Sequence, residues 1–202
     1  MTTTFQLARK AGACKTSYRA FAEYVGGIEK YGKDTPIQLG HILDVLGFND
    51  ALWCLRCTQV PEKARKLSLL LAGDYAERVL YLYELEYPFD SRPRDAISAT
   101  RLYAEDKIKA SAMLAAGDAA WLAGVDAAGS SAGEAARSAA WTAARLAPWE
   151  ITISAARSAA RSAAWAEAWA TALYADRVAT WETARKAETA WQINRFLEVI
   201  CQ

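Results

Sequence analysis

The chain has 202 residues, of which 53% are hydrophobic and 23% are charged, so it can bury a core of its own and is neither a membrane bundle nor a disordered protein. Its formal net charge of +1 argues against bulk electrostatic binding to nucleic acid, which needs a strongly basic surface. The first ten residues contain no apolar signal-peptide segment, and charged residues interrupt the alanine-rich stretches too often for a membrane span. We therefore expect a cytoplasmic protein that does not enter a membrane.

The first part of the chain predicts discrete amphipathic helices. Apolar residues spaced by three or four indicate a helix over 5–25, which Gly26-Gly27 ends. Thr35-Pro36 predicts the start of the next helix, with Thr35 as its N-terminal cap and Pro36 at the first helical position. Gly47 closes that helix, and Asn49 or Asp50 caps a short one that runs through Cys57.

A long helix is predicted from Pro61 to about Tyr87. One apolar stripe follows it, made of Leu67, Leu70, Leu71, Tyr75, Val79, Leu82 and Tyr83. Pro88 breaks it, and Arg92-Pro93-Arg94 begins another helix that ends near Asp106. No stretch alternates with a period of two residues, so no sheet is predicted.

From Lys109 to Ala190 alanine dominates, which predicts long helices. Gly129 and Gly133 mark one turn and Pro148 another, with Trp149 or Glu150 opening a last helix that breaks near Thr171 or Thr180. The predicted fold is all-α: a bundle of amphipathic helices over 1–107, with long Ala/Trp-rich helices over 108–202 packed against it as one unit.

Alanine lets helices approach closely but buries little apolar area per residue. Tryptophans therefore act as large knobs in an alanine-lined core, or one or two of them line an aromatic pocket. The set comprises Trp121, Trp141, Trp165, Trp169, Trp181 and Trp191.

Residues with catalytic or metal-binding chemistry are scarce. Cys54-Leu-Arg-Cys57 has C-x-x-C spacing but lies in a helical pattern, so two ordinary, partly buried thiols are favoured over a redox pair. The single histidine, His41, suits a capping or packing role, and no nucleotide-binding, hydrolase or zinc motif is present. We expect no enzyme, no cofactor and no metal.

Arginines at a helix start form the main candidate site. Arg92 and Arg94 flank a helix N-terminus, where the dipole disfavours cations unless an anion compensates. Free backbone N–H groups and two guanidinium forks suit a carboxylate or phosphate. We favour an anion from within the chain over an external one, and the candidates are Asp90, Glu77, Glu84 and Glu86.

The alanine-rich half offers a second set of arginines, Arg137, Arg145, Arg157 and Arg161. Arg161 lies one turn from both Arg157 and Trp165, and Trp165 shares a face with Trp169. Guanidinium groups beside indoles suit nucleotide-like ligands, and they are equally common on the surface of a long helix.

Over most of residues 5–107, and into the tail, the chain resembles the Imm-5-like immunity protein family of phages and bacteria. The matching pieces are Gly12-Ala13-Cys14 with Ser17 and Phe21, Thr35-Pro36, Ala51-Leu52-Trp53, Ala76-Glu77-Arg78-Val79, Tyr83-Glu84, Tyr87-Pro88-Phe89-Asp90-Ser91-Arg92-Pro93-Arg94-Asp95-Ala96-Ile97 and Arg101-Leu102-Tyr103-Ala104. The Asp-x-Arg-Pro-Arg block is the most specific piece. Thr100 replaces a frequent alanine, and 117–133 holds more glycine than is usual.

The resemblance implies a binding protein that neutralises a toxin protein without catalysis, with Trp53, Arg78 and Arg101 added to the candidate binding residues. One alternative is a phage protein that sequesters a small anionic nucleotide signal in an Arg/Trp pocket. Another is a structural protein that assembles through its long helices. A homo-oligomer is compatible with each hypothesis.

Overall fold

A computed structural model describes residues 1–126, 137–141, 143–144, 158–166, 168, 170 and 178–201, and these are almost wholly helical. The all-α prediction is therefore confirmed. The helices are α1 (Phe5–Lys10), α2 (Lys15–Tyr24), α3 (Ile28–Tyr31), α4 (Leu39–Leu46), α5 (Phe48–Trp53), a 3₁₀ helix (Cys54–Cys57), α6 (Pro61–Glu86), α7 (Arg92–Ala104), α8 (Ala110–Asp126) and α9 (Val178–Cys201). Residues 137–141, 143–144, 158–166, 168 and 170 are also helical.

The helix predicted over 5–25 is two helices. Gly12 has φ +78°, a left-handed conformation that only glycine adopts without strain, and it separates α1 from α2. The apolar spacing continues across this turn, so periodicity alone could not reveal the break. The predicted end at Gly26-Gly27 is confirmed, since both glycines have positive φ.

A small sheet replaces the helix start predicted at Pro36. Strand β1 (Thr2–Thr3) pairs antiparallel with β2 (Ile37–Gln38), so the prediction of no sheet is wrong. The Thr35 hydroxyl donates to the Tyr31 carbonyl at 2.8 Å instead of capping a following helix, and α4 begins at Leu39. Two-residue strands are too short to show an alternating pattern, because their pairing depends on residues far apart in the chain.

Gly47, with φ +88°, both ends α4 as predicted and precedes α5. The predicted caps Asn49 and Asp50 lie inside α5 instead. The chain then tightens into the 3₁₀ helix, where Cys54 and Cys57 are buried free thiols. Thr3 donates to the Cys57 carbonyl at 2.5 Å, so this segment is anchored to β1.

His41 has the packing role predicted for it. Its ring lies edge-on to Phe21 and to Tyr24, with centroids 5.4 Å apart in both pairs. These contacts join α4 to α2 around the N-terminal part of the core.

Helix α6 is the central element of the fold. Every residue of its predicted apolar stripe is buried except Leu70, which is half-buried, and Leu69 and Leu80 on other faces are buried too. The helix packs against α7 and α9, and the buried Tyr75 hydroxyl donates to the Gln192 carbonyl at 3.3 Å. Burial of Tyr75 raises its pKa. Because α6 is covered on several sides, its residues set the geometry of the helices around it.

The alanines of the second half form close-packed helix surfaces, as predicted. The fully buried ones include Ala139, Ala143, Ala159, Ala163 and Ala166. Two tryptophans are not buried in the alanine-lined core as predicted, since Trp121 is 45% exposed and Trp165 is 47% exposed. They pair with other indoles instead: Trp121 with Trp141 at 4.8 Å and Trp165 with Trp181 at 5.5 Å between ring centroids. Helices that meet through alanine are too close to hold an indole between them.

Several predictions for the second half of the chain concern residues outside the described ranges. These are the turns at Gly129, Gly133 and Pro148, the helix start at Trp149 or Glu150, the break at Thr171, and Arg145. The alternative break near Thr180 stays a prediction, because α9 begins at Val178 and residues 171–177 lie outside the described ranges. Within the described ranges, no helix combines the length and the apolar character that a membrane crossing requires.

Candidate functional site

The chain reverses direction between α6 and α7, over residues 84–94, which we call the corner. The Tyr87 N–H donates to the Tyr83 carbonyl at 2.9 Å and ends α6, and the Asp90 N–H closes the turn on the Tyr87 carbonyl at 3.1 Å. Pro93 then lies in the first turn of α7, where its missing N–H costs nothing. Two prolines and these two bonds therefore give the corner a defined conformation.

Asp90 is the anion that the start of α7 requires. Its carboxylate accepts from the Arg92 backbone N–H at 3.1 Å, from Arg92 Nε at 2.9 Å and from a terminal Arg92 nitrogen at 2.7 Å. It also accepts from the Tyr83 hydroxyl at 2.7 Å. The predicted choice of an internal anion over an external one therefore agrees with the geometry at Arg92.

This hydrogen bonding changes the acidity of both partners. The bonds from Arg92, with that from Tyr83, lower the pKa of Asp90 to about 2. Burial, together with the bond to Asp90, raises the pKa of Tyr83. Asp90 is thus held ionised, and it connects the side of α6 to the start of α7.

Arg94 makes the second internal pair of the corner. Its Nε and a terminal nitrogen donate to the two oxygens of Glu84 at 2.7 and 2.6 Å, a bidentate fork. The pair is partly exposed, so it contributes more to orientation than to stability. Each corner arginine is therefore matched by a carboxylate of the chain.

Arg101 continues this pattern further along α7. It donates to Asp74 at 2.8 Å and to Glu77 at 2.5 Å, and the bond to Glu77 lowers the pKa of that carboxyl. Asp74 also accepts from Arg195 of α9 at 2.8 Å. The sequence prediction did not include Asp74 as a residue that links α6 to α7 and α9. Its partners, Arg101 and Arg195, lie 27 and 121 residues further along the chain.

Arg78 lies apart from these pairs and faces α9. Its guanidinium is 3.4 Å from the carboxylate of Glu188 and 5.1 Å from the ring centroid of Trp191. Glu188 is 3% exposed and also accepts from Gln192 at 3.0 Å. Arg78 therefore serves the packing of α9 on α6 rather than the corner.

Exposed apolar side chains border the corner, and they were absent from the sequence prediction. Phe89 in the turn is 101% exposed, and Leu85 in the last turn of α6 is 75% exposed. Tyr81, one turn before Leu85 on the same face, is 45% exposed. The position of Phe89 in the sequence, directly after Pro88 and before Asp90, could have indicated this exposed surface. Turns at helix ends favour polar residues and glycine, so a phenylalanine there is unusual.

Trp53 and Trp165 have partners outside the corner. Trp53 lies on α5 under the guanidinium of Arg56, 5.2 Å from its ring centroid. Trp165 contacts Trp181, and Arg161 is exposed on the same helical stretch. Arg157 and Trp169 lie outside the described residues.

Arg137, which the sequence grouped with the tail arginines, is buried. Its guanidinium donates to the carbonyls of Ala120 and Trp121 at 3.4 Å and lies 5.2 Å from the Trp121 ring centroid. It therefore contributes to the packing of its own helix on α8. Across the described residues, no group of three or more histidine, cysteine or acidic side chains could hold a metal ion.

Comparison with known proteins gives one match. The family model described as Imm-5 like putative immunity protein matches residues 58–199. The match includes α6, the corner, α7, α8 and most of α9. It leaves out residues 1–57, which contain several of the short segments on which the family resemblance of the sequence was based. No curated protein and no solved structure matches the chain.

Proposed function

Because the chain belongs to the Imm-5 like immunity family, we propose that it neutralises a partner protein by binding it, with the corner and its apolar border as the contact surface. The fully exposed Phe89 carries this proposal. A phenylalanine held in water at the tip of a turn stabilises nothing in the chain itself, whereas aromatic side chains provide much of the binding energy of interfaces.

The surroundings of Phe89 favour recognition of a protein. The Asp90–Arg92 and Glu84–Arg94 pairs restrain the turn, so little conformational entropy remains to be lost on binding. Leu85 and Tyr81 extend the apolar area, and the charged pairs form a polar rim. We expect a partner that offers an apolar cavity for Phe89 with polar groups around its edge.

The test is rescue of growth. Candidate toxins encoded by the host of this chain are each expressed with and without it, and a rescuing pair is purified for a binding measurement. We expect a stoichiometric complex whose Kd rises about thirtyfold in Phe89→Ala, the loss typical of a buried aromatic anchor.

Leu122→Ala provides the matched control, since Leu122 is also exposed but lies on α8. It should leave the Kd and the rescue unchanged. Rescue that persists in full with Phe89→Ala and an unchanged Kd would refute the corner as the contact surface. A toxin that is neutralised with no complex would refute binding as the mechanism.

The hypothesis of a small anionic nucleotide has less support at the corner. Arg92, Arg94 and Arg101 each already have a carboxylate partner, so a phosphate would have to displace Asp90, Glu84 or the Asp74–Glu77 pair. Isothermal titration against a panel of cyclic and ADP-ribose-type nucleotides tests it. Heat that disappears in the Arg92→Ala/Arg94→Ala variant would favour this hypothesis over a protein partner.

The hypothesis of structural assembly is tested by light scattering coupled to size-exclusion chromatography. A discrete monomer or dimer opposes it, and an open series of sizes supports it. No described feature of the corner favours assembly over recognition of a different protein.

A further inference from the structure

A cavity of about 300 Å³ lies in the N-terminal part of the chain, among α1, α2, α4 and α5. Its lining residues fall between Thr3 and Cys54, so all of them precede the residues 58–199 matched by the family model. Its volume is at the lower end of the range of small-molecule sites. The cavity therefore lies outside the part of the chain that the family model matches.

Aromatic rings form much of the cavity wall, and the core holds them in place. Phe5 and Phe21 are buried, and their ring centroids are 5.9 Å apart. Tyr18 lies edge-on to Phe5 at 5.4 Å. Since these rings are fixed by contacts with one another, the cavity exists without a ligand to shape it.

Two threonine hydroxyls of the lining are satisfied within the chain, whereas the one charged side chain is not. The hydroxyl of Thr3 donates to the Cys57 carbonyl at 2.5 Å, and that of Thr4 accepts from the Leu7 N–H at 3.1 Å. Asp50 is the only charged residue among the described lining residues. No hydrogen bond or ion pair joins its carboxylate to another residue in the described part of the chain.

The negative charge of Asp50 acts on the interior of the cavity. Asp50 is half-buried on α5, and the lining thiol of Cys54 is buried. The hydrogen bond with Cys57, burial and the charge of Asp50 together raise the pKa of Cys54. The α5 dipole favours an acid at this position but does not require it to border an aromatic cavity.

We propose that this cavity binds a small organic cation with an apolar body, such as an arylalkylamine. The ammonium group would pair with Asp50, and the apolar body would lie among Phe5, Tyr18 and Trp53. Aromatic faces attract cations, and a carboxylate in an apolar setting attracts them more strongly than one in water.

The experiment compares two probes of similar shape, phenethylamine and 2-phenylethanol, on the full chain by protein-observed NMR titration. We expect phenethylamine to shift the signals of the lining residues saturably and 2-phenylethanol to bind at least tenfold more weakly. Asp50→Asn should weaken the amine about tenfold, the loss expected for a hydrogen bond to a charged group, and should leave the alcohol unchanged.

Two further variants keep the outcome interpretable. Asp44→Asn removes an exposed acid of α4 that does not line the cavity, and it should leave amine binding unchanged. Ala8→Leu fills the cavity from α1 and should abolish binding of both probes while the spectrum stays folded. Equal binding of the two probes, equal binding to the wild type and Asp50→Asn, or no saturable shift with phenethylamine would overturn the proposal.

Amine binding in this cavity does not depend on the contact surface proposed at the corner. Phe89→Ala should leave the amine titration unchanged, because Phe89 does not line the cavity. Loss of partner neutralisation in that variant with intact amine binding would separate the two surfaces.

Discussion

Replacement of Asp90 by asparagine tests the internal anion at the start of α7. Asparagine keeps the size of the side chain but removes the charge that Arg92 and the N-terminus of α7 require. One amide oxygen cannot serve the Tyr83 hydroxyl and the Arg92 guanidinium as two carboxylate oxygens do. The variant should therefore be less stable than the wild type at neutral pH.

The size of the loss follows from the lowered pKa of Asp90. A fall from 3.8 to about 2 corresponds to roughly 2.5 kcal/mol of folded-state stabilisation, at about 1.4 kcal/mol per pKa unit. The Asp90 side chain is only 19% exposed, so solvent screening takes away a small part of this value. We expect the free energy of unfolding of Asp90→Asn to be lower by about 2 kcal/mol at pH 6.

The pH dependence follows from the direction of the shift. A carboxyl group with a depressed folded-state pKa stabilises fully above its unfolded pKa and loses this contribution as the pH falls through the folded value of about 2. About half of the Asp90 contribution is gone by pH 3. The difference between wild type and Asp90→Asn should therefore shrink to about 1 kcal/mol at pH 3.

Urea unfolding followed by circular dichroism at pH 6 and pH 3 measures both values. Asp118→Asn is the control, since Asp118 is an exposed acid of α8, and it should differ little from the wild type at either pH. A loss below about 0.5 kcal/mol at pH 6, or a difference that does not change with pH, would refute the assignment of Asp90 as the anion of α7.

Three further substitutions test the packing and backbone in other parts of the chain, each by urea unfolding. Arg78→Ala removes the guanidinium beside the buried Glu188 and should cost about 3 kcal/mol, whereas a loss below about 1 kcal/mol would refute a stabilising role for the Arg78–Glu188 pair. Gly47→Ala places a side chain at φ +88° and should cost about 1 kcal/mol or more, and an unchanged stability would contradict the strained turn. Ala163→Leu inserts a large side chain at a fully buried position and should cost about 1–3 kcal/mol, while a gain in stability would show that space remains between the helices.

The parts of the fold that were predicted correctly depend on local signals. Pro61, Pro88 and Gly47 each act on their own backbone, so the bounds of α6 and the end of α4 follow from the residue type. An internal anion at the start of α7 was also predicted, because the helix dipole disfavours two cations there, and the structure selects Asp90 from the four acids considered. The break at Gly12 was missed, since glycine tolerates both helix and turn and the apolar period continues across it.

The parts that were missed depend on contacts between distant residues. The pairing of Thr2–Thr3 with Ile37–Gln38 leaves no local pattern, and neither does the link from Asp74 to Arg101 and Arg195. The exposure of Trp121 and Trp165 was predicted wrongly, because burial of a large apolar residue depends on how closely the neighbouring helices approach. The cavity beside Asp50 was missed for the same reason, as its wall comes from four separate helices.

The sequence by itself determined the all-α class, the course of α6 and α7, the family and the need for an internal anion at the start of α7, because each depends on residue type or on spacing within a few turns. The tertiary structure decided which side chains reach the surface of the corner, which acid pairs with Arg94 and Arg101, and where an aromatic cavity remains. These features depend on the positions at which helices cross. In alanine-rich helices similar packing faces recur along the chain, so the positions at which they cross follow only from the packed structure.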